Sequence, residues 1–207
     1  MKDFGLYVII TKPILPPQVV AEICVVNNIK MLQLREKDLA DRELLKIAKD
    51  IRAITKNTAT KFVINDRPDI ARLCDADFVH LGQNDLAISK AREILKPDQQ
   101  AGLSTHSLEQ AERALRQQPA YIGFGPIFAT STKAIPDRVV GARQLAQVLQ
   151  LATVPVVAIG GIFPHNIETV LQTGVKNIAM VRYFMETKNL DVRLKEIKTI
   201  INKGVTH

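Results

Sequence analysis

Eight short apolar segments recur along the chain, and a helix-like stretch follows each of them. The segments are nearly continuous in Val, Ile, Leu and Phe, which is typical of parallel strands that are buried on both faces. They span residues 6–11, 30–34, 61–65, 77–81, 100–103, 120–124, 155–159 and 177–181. Eight βα repeats of this kind predict one closed parallel barrel, in which catalytic and binding residues lie where the strands end.

The stretches between these segments carry apolar residues at helical spacing, which predicts one buried stripe on each helix. Ser107 followed by Gln110 is typical of a capped helix N-terminus. Gly174 is typical of the residue that follows a helix C-terminus. The predicted helices cover residues 16–28, 42–56, 89–95, 107–116, 141–151, 164–173 and 190–203.

An open, nucleotide-binding sheet is the alternative fold for this order of elements. Such a fold needs a glycine turn after the first strand, and the sequence has none there. Gly123 and Gly125 do not supply the fingerprint either, because Phe128 stands at the third glycine position. The chain shows no linker and no break in composition, so we predict an α/β protein of one domain, a (β/α)8 TIM barrel over residues 1–207.

The composition narrows the class of partner. The chain has 207 residues, of which 46% are hydrophobic and 24% are charged, so it is long enough to bury a full core. Its net charge is +7, but the basic residues are scattered, without a run of five and without interleaved aromatic residues. We therefore expect no nucleic-acid partner. A solvated basic surface accounts for most of the positive charge. Attraction of a phosphorylated small-molecule substrate explains the charge better than nucleic-acid binding does.

Location and redox state follow from what the chain lacks. Cys24 and Cys74 lie in apolar helical contexts, which predicts buried, reduced thiols and not a disulfide framework. No charged segment leads into an apolar one near residue 1, and no apolar run reaches the length of a membrane span. We expect a soluble, cytoplasmic protein with no membrane partner. The oligomeric state stays open, with a homo-oligomer among the alternatives.

Cations follow the second predicted strand. Alternation places Gln33, Arg35 and Lys37 on one side if the strand continues that far. In a barrel that side can be the interior, where two cations need an anion, and a phosphate-rich ligand would supply one. The alternative is a surface loop in which Glu36 pairs with a neighbouring cation.

Two carboxylates follow the third and fourth strands. Asp66 and Asp85 lie on loops from adjacent strands, so they can converge on one hard cation beside the cationic segment. Magnesium commonly takes one or two carboxylates, and the phosphate oxygens of a substrate complete its coordination. Aspartate is also frequent in turns and caps, so the position of the pair is what gives it weight.

Two later segments are suited to phosphate. Thr130, Thr132 and Lys133 lie in a long loop, and hydroxyls with a lysine can hold phosphate oxygens. Gly160 and Gly161 follow the seventh strand and would let backbone N–H groups approach an anion. A tight turn between strand and helix explains these two glycines equally well.

The histidines suggest no zinc centre. His80 lies inside the fourth strand, where packing is the usual role. His106 follows the fifth strand and is either an acid–base group or an orienting group. His165 and His207 form no metal-ligand spacing with these two, so zinc is not expected.

The chain resembles the thiamine phosphate synthase family in seven segments. In chain order, from Leu6 to Ile162, these are LYVIIT, LQLREKD, VINDRPDIA, FVHLGQNDL, GLSTHS, YIGFGPIFATSTK and PVVAIGGI. The resemblance implies a (β/α)8 barrel that joins a hydroxymethylpyrimidine diphosphate to a thiazole phosphate and releases pyrophosphate with Mg²⁺. It also implies a dissociative reaction, in which a pyrimidine carbocation forms and the thiazole nitrogen attacks it, without a protein nucleophile.

The resemblance further implies residue roles. It implies that Asp66 and Asp85 bind Mg²⁺. The residues that it implies for binding of the diphosphate and its pyrimidine are Gln33, Arg35, Lys37, Asn65, Ser104 and Lys133. Among these, the candidates for catalysis are Arg35, Lys37, Ser104 and Lys133. The residues that it implies for binding of the thiazole phosphate are Thr130, Thr132, Gly161, Val181 and Arg182.

The end of the eighth strand departs from the family pattern. Val181, Arg182 and Tyr183 stand where the family usually has Val-Ser or Ile-Ser. Arg182 either binds the phosphate through its guanidinium group or points away from it.

Two other functions stay open on the same barrel. One is a thiazole tautomerase with His106 as its acid–base group, and the other is a non-catalytic barrel that binds thiamine precursors and regulates a partner. Asn65, Asp66, Asp85 and Lys133 favour the synthase. The tautomerase tends to lose the metal and diphosphate residues, and binding alone needs no metal pair.

Overall fold

The computed structural model describes residues 3–130 and 138–204 and contains a closed barrel of eight parallel strands. The strands are β1 (Leu6–Ile10), β2 (Met31–Leu34), β3 (Lys61–Asn65), β4 (Phe78–Leu81), β5 (Gln100–Thr105), β6 (Tyr121–Phe124), β7 (Val156–Ile159) and β8 (Asn177–Met180). Consecutive strands pair in parallel, and β1 pairs with β8 to close the barrel. The predicted (β/α)8 TIM barrel is confirmed.

Helices follow the strands and cover the outside of the barrel. They are α1 (Pro17–Val26), α2 (Asp41–Thr55), α3 (Pro68–Leu73), α4 (Ile88–Ile94), α5 (Leu108–Arg116), α6 (Gly141–Leu151), α7 (Ile167–Leu171), α8 (Arg182–Met185) and α9 (Leu190–Gly204). Within the described residues, none of the helices has both the length and the apolar character that a bilayer span requires.

Alternation along the strands divides the core into two layers. Residues such as Val8 and Leu32 face outward and pack with the helices in one large cluster. The barrel interior holds a second, smaller cluster, which includes two tyrosines, Tyr7 and Tyr121. The interior therefore brings hydroxyl groups into an otherwise apolar core, directly below the strand ends.

The predicted helix ends are largely confirmed. Helix α1 begins at Pro17, where a proline loses no hydrogen bond. Ser107 caps α5, and its Oγ accepts from the backbone N–H of Gln110 at 3.2 Å. The Gln110 side chain accepts in turn from the N–H of His106 at 2.7 Å, one residue before the position that a capping box uses.

The structure differs from the predictions at three short elements. Helix α3 was not predicted, because a six-residue helix is too short to show a clear apolar period. Helix α7 begins at Ile167 rather than at residue 164, since Asn166 accepts from the N–H of Phe163 and donates to the carbonyl of Gly161, which holds a turn there. Strand β8 ends at Met180, and helix α8 begins two residues later.

Candidate active site

A cavity of about 170 Å³ opens where the eight strands end. Residues at or just after the end of every strand line it. The predicted site residues among them are Gln33, Arg35, Lys37, Asn65, Asp66, Asp85, Ser104, Thr130, Gly161, Val181 and Arg182. The other two predicted residues, Thr132 and Lys133, lie outside the described residues.

The cationic segment faces the cavity although β2 ends before it. The N–H of Arg35 donates to the carbonyl of Ile10 at 2.8 Å, so the pairing with β1 continues one residue beyond the strand. Gln33, Arg35 and Lys37 consequently line the cavity together, as alternation predicts. Glu36 turns away and accepts from the backbone N–H of Lys12 at 2.6 Å.

The loops after β3 and β4 bring the two carboxylates together. Asp66 has a positive φ of 61°, and its N–H donates to the carbonyl of His80 at 2.8 Å, which ties its loop to β4. Its Oδ2 lies 2.6 Å from Nζ of Lys37. Asp85 accepts from the N–H of Gly82 at 2.6 Å, so its side chain folds back toward the strand end. The geometry therefore confirms that this pair lies beside the cationic segment.

The two carboxyl groups titrate as a pair. Burial alone would raise the pKa of Asp66, but the hydrogen bond with Asp85 and the contact with Lys37 outweigh it and hold this pKa below its usual value. The pKa of Asp85 is raised, first by burial and then by the hydrogen bond with Asp66. Two carboxylates in contact cannot both ionise without cost, so Asp85 holds its proton to a higher pH than an ordinary aspartate does.

The floor of the cavity is polar. Gln33 donates from Nε2 to the hydroxyl of Tyr7 at 2.7 Å, and this hydroxyl lies 2.9 Å from that of Tyr121. The Tyr121 hydroxyl is 3.0 Å from Nδ1 of His80. Nε2 of His80 is 2.8 Å from Oγ of Ser104. One continuous chain of hydrogen bonds thus joins Gln33 on β2 to Ser104 on β5.

Sequence reasoning missed three members of this series of hydrogen bonds, namely Tyr7, Tyr121 and His80. It assigned His80 to packing and singled out neither tyrosine. The available signal was alternation, because Tyr7 and His80 stand at inward positions of their strands like Gln33 and Ser104. An inward polar group in a barrel strand needs a partner, and here the partners satisfy one another.

His106 also lines the cavity, and its orientation is fixed. Its Nδ1 lies 2.6 Å from the carbonyl oxygen of Gly125, which can only accept, so Nδ1 carries a proton. The structure thus supports an oriented imidazole, in keeping with either predicted role.

The loop after β6 is held against the turn after β7. The N–H groups of Ile127 and Phe128 donate to the carbonyls of Ile159 and Gly160 at 2.9 and 3.0 Å. Gly160 has a φ of +100°, and a Cβ there would lie 2.5 Å from Pro126. The two glycines after β7 therefore form a tight turn that also lines the cavity, so the two interpretations of this pair are compatible.

Arg182 lies at the cavity and does not point away from it. It begins the one-turn helix α8, directly after the predicted end of strand eight at Val181. Its guanidinium carbon is 5.3 Å from the centre of the Phe163 ring, which also lines the cavity. Tyr183 packs edge-on against the same ring. A guanidinium stacked on an aromatic face can still donate hydrogen bonds from the edge of its plane.

Comparisons with known proteins, by sequence and by structure, point to one family. The sequence model of a family described as thiamine monophosphate synthase matches residues 6–184. The thiamine-phosphate synthase of Lawsonia intracellularis is 40% identical over 84% of this chain and 80% of its own length. That of Halalkalibacterium halodurans is 36% identical over 98% of each chain. A solved structure of thiamine phosphate pyrophosphorylase from Pyrococcus furiosus, 33% identical, superposes with a TM-score of 0.88 over 98% of this chain and 97% of that one.

Proposed function

The chain belongs to the thiamine monophosphate synthase family, and we propose that it joins a hydroxymethylpyrimidine diphosphate to a thiazole phosphate, with release of pyrophosphate. It is a transferase, a thiamine-phosphate synthase of thiamine biosynthesis. The observation that carries the finer assignment is the cavity itself, which is lined by a carboxylate pair, by two cations beside that pair and by a set of neutral polar groups.

The carboxylate pair has the chemistry of a Mg²⁺ site. Asp66 and Asp85 supply hard oxygen donors, and a divalent cation would compete with the proton on Asp85, whose pKa is raised. No group of three or more His, Cys, Asp or Glu side chains in residues 3–130 and 138–204 could hold a metal. Substrate oxygens and water would therefore complete the coordination. When bound, Mg²⁺ would neutralise negative charge on the diphosphate.

The cations beside this pair serve the leaving group. Lys37 and Arg35 reach the cavity next to Asp66, where a diphosphate held at the carboxylate pair would lie. Pyrophosphate gains negative charge as its C–O bond breaks, so these cations stabilise the transition state more than the ground state. Lys133 is assigned to the same task by the resemblance alone.

Neutral polar groups also line the cavity, and the heterocycle would bind to them. They are Gln33, Asn65 and Ser104, whose amides and hydroxyl can hydrogen-bond a pyrimidine edge without adding charge. The two cysteines, Cys24 and Cys74, are buried and line no part of the cavity. This arrangement supports a dissociative reaction, in which the protein positions two substrates and excludes water.

The thiazole phosphate would bind at the opposite rim. Thr130 and Gly161 line the cavity there, and Val181 leads into Arg182. The guanidinium of Arg182, held over Phe163, would replace the hydroxyl that the family pattern places after strand eight. Thr132 is assigned here by the resemblance alone.

A coupling assay tests the proposal. The purified protein is mixed with both substrates, with and without Mg²⁺, and thiamine phosphate is measured by fluorescence after oxidation to thiochrome. We expect product only when the metal is present. A folded protein that makes no product would contradict the proposal, and proton exchange on the thiazole phosphate would then separate the tautomerase from the binding-only barrel. A cytoplasmic location and the lack of a nucleic-acid partner stay predictions.

A further inference from the structure

The polar floor of the cavity connects two substrate-binding groups through the interior of the barrel. We propose that the buried chain Gln33–Tyr7–Tyr121–His80–Ser104, here named the relay, fixes which hydrogen-bonding groups Gln33 and Ser104 present to the heterocycle, with His80 as a positioning residue. The proposal rests on the proposed function, since that function places the pyrimidine at these two residues.

The direction of the first two hydrogen bonds follows from counting hydrogens. Gln33 donates from its amide nitrogen, so the Tyr7 oxygen accepts. Tyr7 has one hydroxyl hydrogen, and the neighbouring acceptor is the oxygen of Tyr121 at 2.9 Å. Burial raises the pKa of both tyrosines, so each keeps its hydrogen across the neutral pH range. The relay therefore runs from Gln33 toward Tyr121.

The same count fixes the tautomer of His80. The hydrogen of Tyr121 goes to Nδ1 of His80 at 3.0 Å, so this nitrogen accepts and carries no proton. A neutral imidazole then has its proton on Nε2, which donates to Oγ of Ser104 at 2.8 Å. Ser104 accepts from within the barrel, and its own hydrogen is left for an acceptor in the cavity, such as a ring nitrogen.

The opposite direction has a different chemical result at both ends. It would require Gln33 to turn its Oε1 toward Tyr7, and every later bond would reverse. His80 would then carry its proton on Nδ1, and Ser104 would donate its hydroxyl hydrogen to Nε2 of His80, inside the barrel. The hydrogen-bonding character of Ser104 is therefore coupled to the amide orientation of Gln33, although the two residues lie on different strands.

Packing holds the relay in place. The His80 and Tyr121 rings are stacked, with centroids 5.4 Å apart and planes inclined by 17°. Tyr7 and Phe4 pack edge-on against Tyr121 at 5.9 and 6.2 Å. This packing already leaves the side chains few alternative rotamers, so forming the hydrogen bonds costs little additional entropy.

The first experiment uses the wild-type protein without ligand. Histidine is labelled with ¹⁵N, and two-bond ¹H–¹⁵N correlation spectra report which nitrogen of each ring carries the proton. A His80→Gln variant assigns the His80 signals among the four histidines. We expect a neutral His80 with its proton on Nε2. A proton on Nδ1, or a charged ring, would overturn the proposed direction of the relay.

The second experiment breaks the relay and keeps its rings. In Tyr121→Phe and in Tyr7→Phe, we expect KM for the pyrimidine diphosphate to rise about five- to tenfold, the effect of a hydrogen bond worth about 1 kcal/mol. KM for the thiazole phosphate should stay within about twofold. The His80 spectrum should change to a mixture of tautomers in both variants, although Tyr7 makes no hydrogen bond to His80.

Controls separate the relay from a structural role. Thr199→Val removes a hydroxyl outside the relay, on the exposed face of α9, and should change neither KM nor the His80 spectrum. Equal changes in both KM values, with an unchanged His80 tautomer, would reduce the tyrosines to structural residues and overturn the proposal. If the wild-type protein makes no thiamine phosphate, the proposed function fails, whereas the tautomer of the ligand-free protein still decides the direction of the relay.

Discussion

Nζ of Lys37 lies 2.6 Å from Oδ2 of Asp66, at the rim of the cavity. The lysine side chain is 54% exposed, so the pair contributes little to folding stability. Its position matters more, because it places a cation between the proposed metal site and the proposed diphosphate site. Without ligands, Lys37 partly compensates the charge of Asp66. With ligands, the same cation is beside the leaving group.

Removal of one carboxylate should abolish most of the activity. In Asp66→Asn, the pair loses the carboxylate whose pKa is lowered and which ionises more readily, and we expect kcat to fall about a hundredfold or more. Steady-state kinetics over a range of Mg²⁺ concentrations would measure this. The matched control is Asp98→Asn, an exposed carboxylate that does not line the cavity. Near-normal turnover in Asp66→Asn would remove this residue from the proposed metal site.

Binding of Mg²⁺ should weaken as the pH falls. The cation needs Asp85 deprotonated, and the pKa of Asp85 is raised by burial and by its hydrogen bond with Asp66. Protonation thus competes with the metal at pH values above the usual aspartate range, near 4. The affinity should be full above the raised pKa and should be lost as the pH falls through it.

Titration calorimetry with Mg²⁺ in buffers of different ionisation enthalpy would measure the competing proton. Near the pKa of Asp85, binding should release a proton, and Asp85→Asn should release none. An affinity that does not depend on pH would contradict competition between Mg²⁺ and the proton of Asp85.

Arg182 should determine affinity for the thiazole phosphate. In Arg182→Ala, which removes the guanidinium and puts no hydroxyl in its place, we expect KM for this substrate to rise about tenfold or more, because a charged hydrogen bond is lost. KM for the pyrimidine diphosphate should change little. Arg182→Lys keeps the charge without the planar fork, and its KM should lie between the two.

Arg116→Ala is the matched control for Arg182, since this exposed arginine of α5 lies away from the cavity. A thiazole phosphate KM that stays unchanged in Arg182→Ala would show that the guanidinium does not contact the phosphate.

Local sequence patterns predicted the fold and the rim of the site for physical reasons. A strand buried on both faces is apolar throughout, so the eight strands were visible as apolar runs. Asp66 and Asp85 follow such runs directly, and parallel strands that close into a barrel bring their ends together. No long-range information was needed to place these two residues at one end of the molecule.

The floor of the site was not predictable in the same way. Tyr7 and Tyr121 are 114 positions apart, and only closure of the barrel brings their hydroxyls to 2.9 Å. In the sequence, an aromatic residue within an apolar run indicates only core packing. Helix α8 escaped prediction for a different reason, because its four residues are too few to show helical periodicity.

The barrel interior should tolerate no added methyl group beneath Tyr121. A Cβ at Gly102 would overlap the Tyr121 ring, which is fixed between Tyr7 and His80, whereas a Cβ at Gly123 would make an ordinary contact at 3.5 Å with the His80 ring. Gly102→Ala should therefore lower Tm by several degrees, on the order of 5 °C, and Gly123→Ala should lower it much less. Thermal unfolding followed by circular dichroism would measure both variants. If Gly102→Ala lowered Tm no more than Gly123→Ala does, the Tyr121 ring would be able to move aside. A ring with that freedom could not hold His80 in a single tautomer.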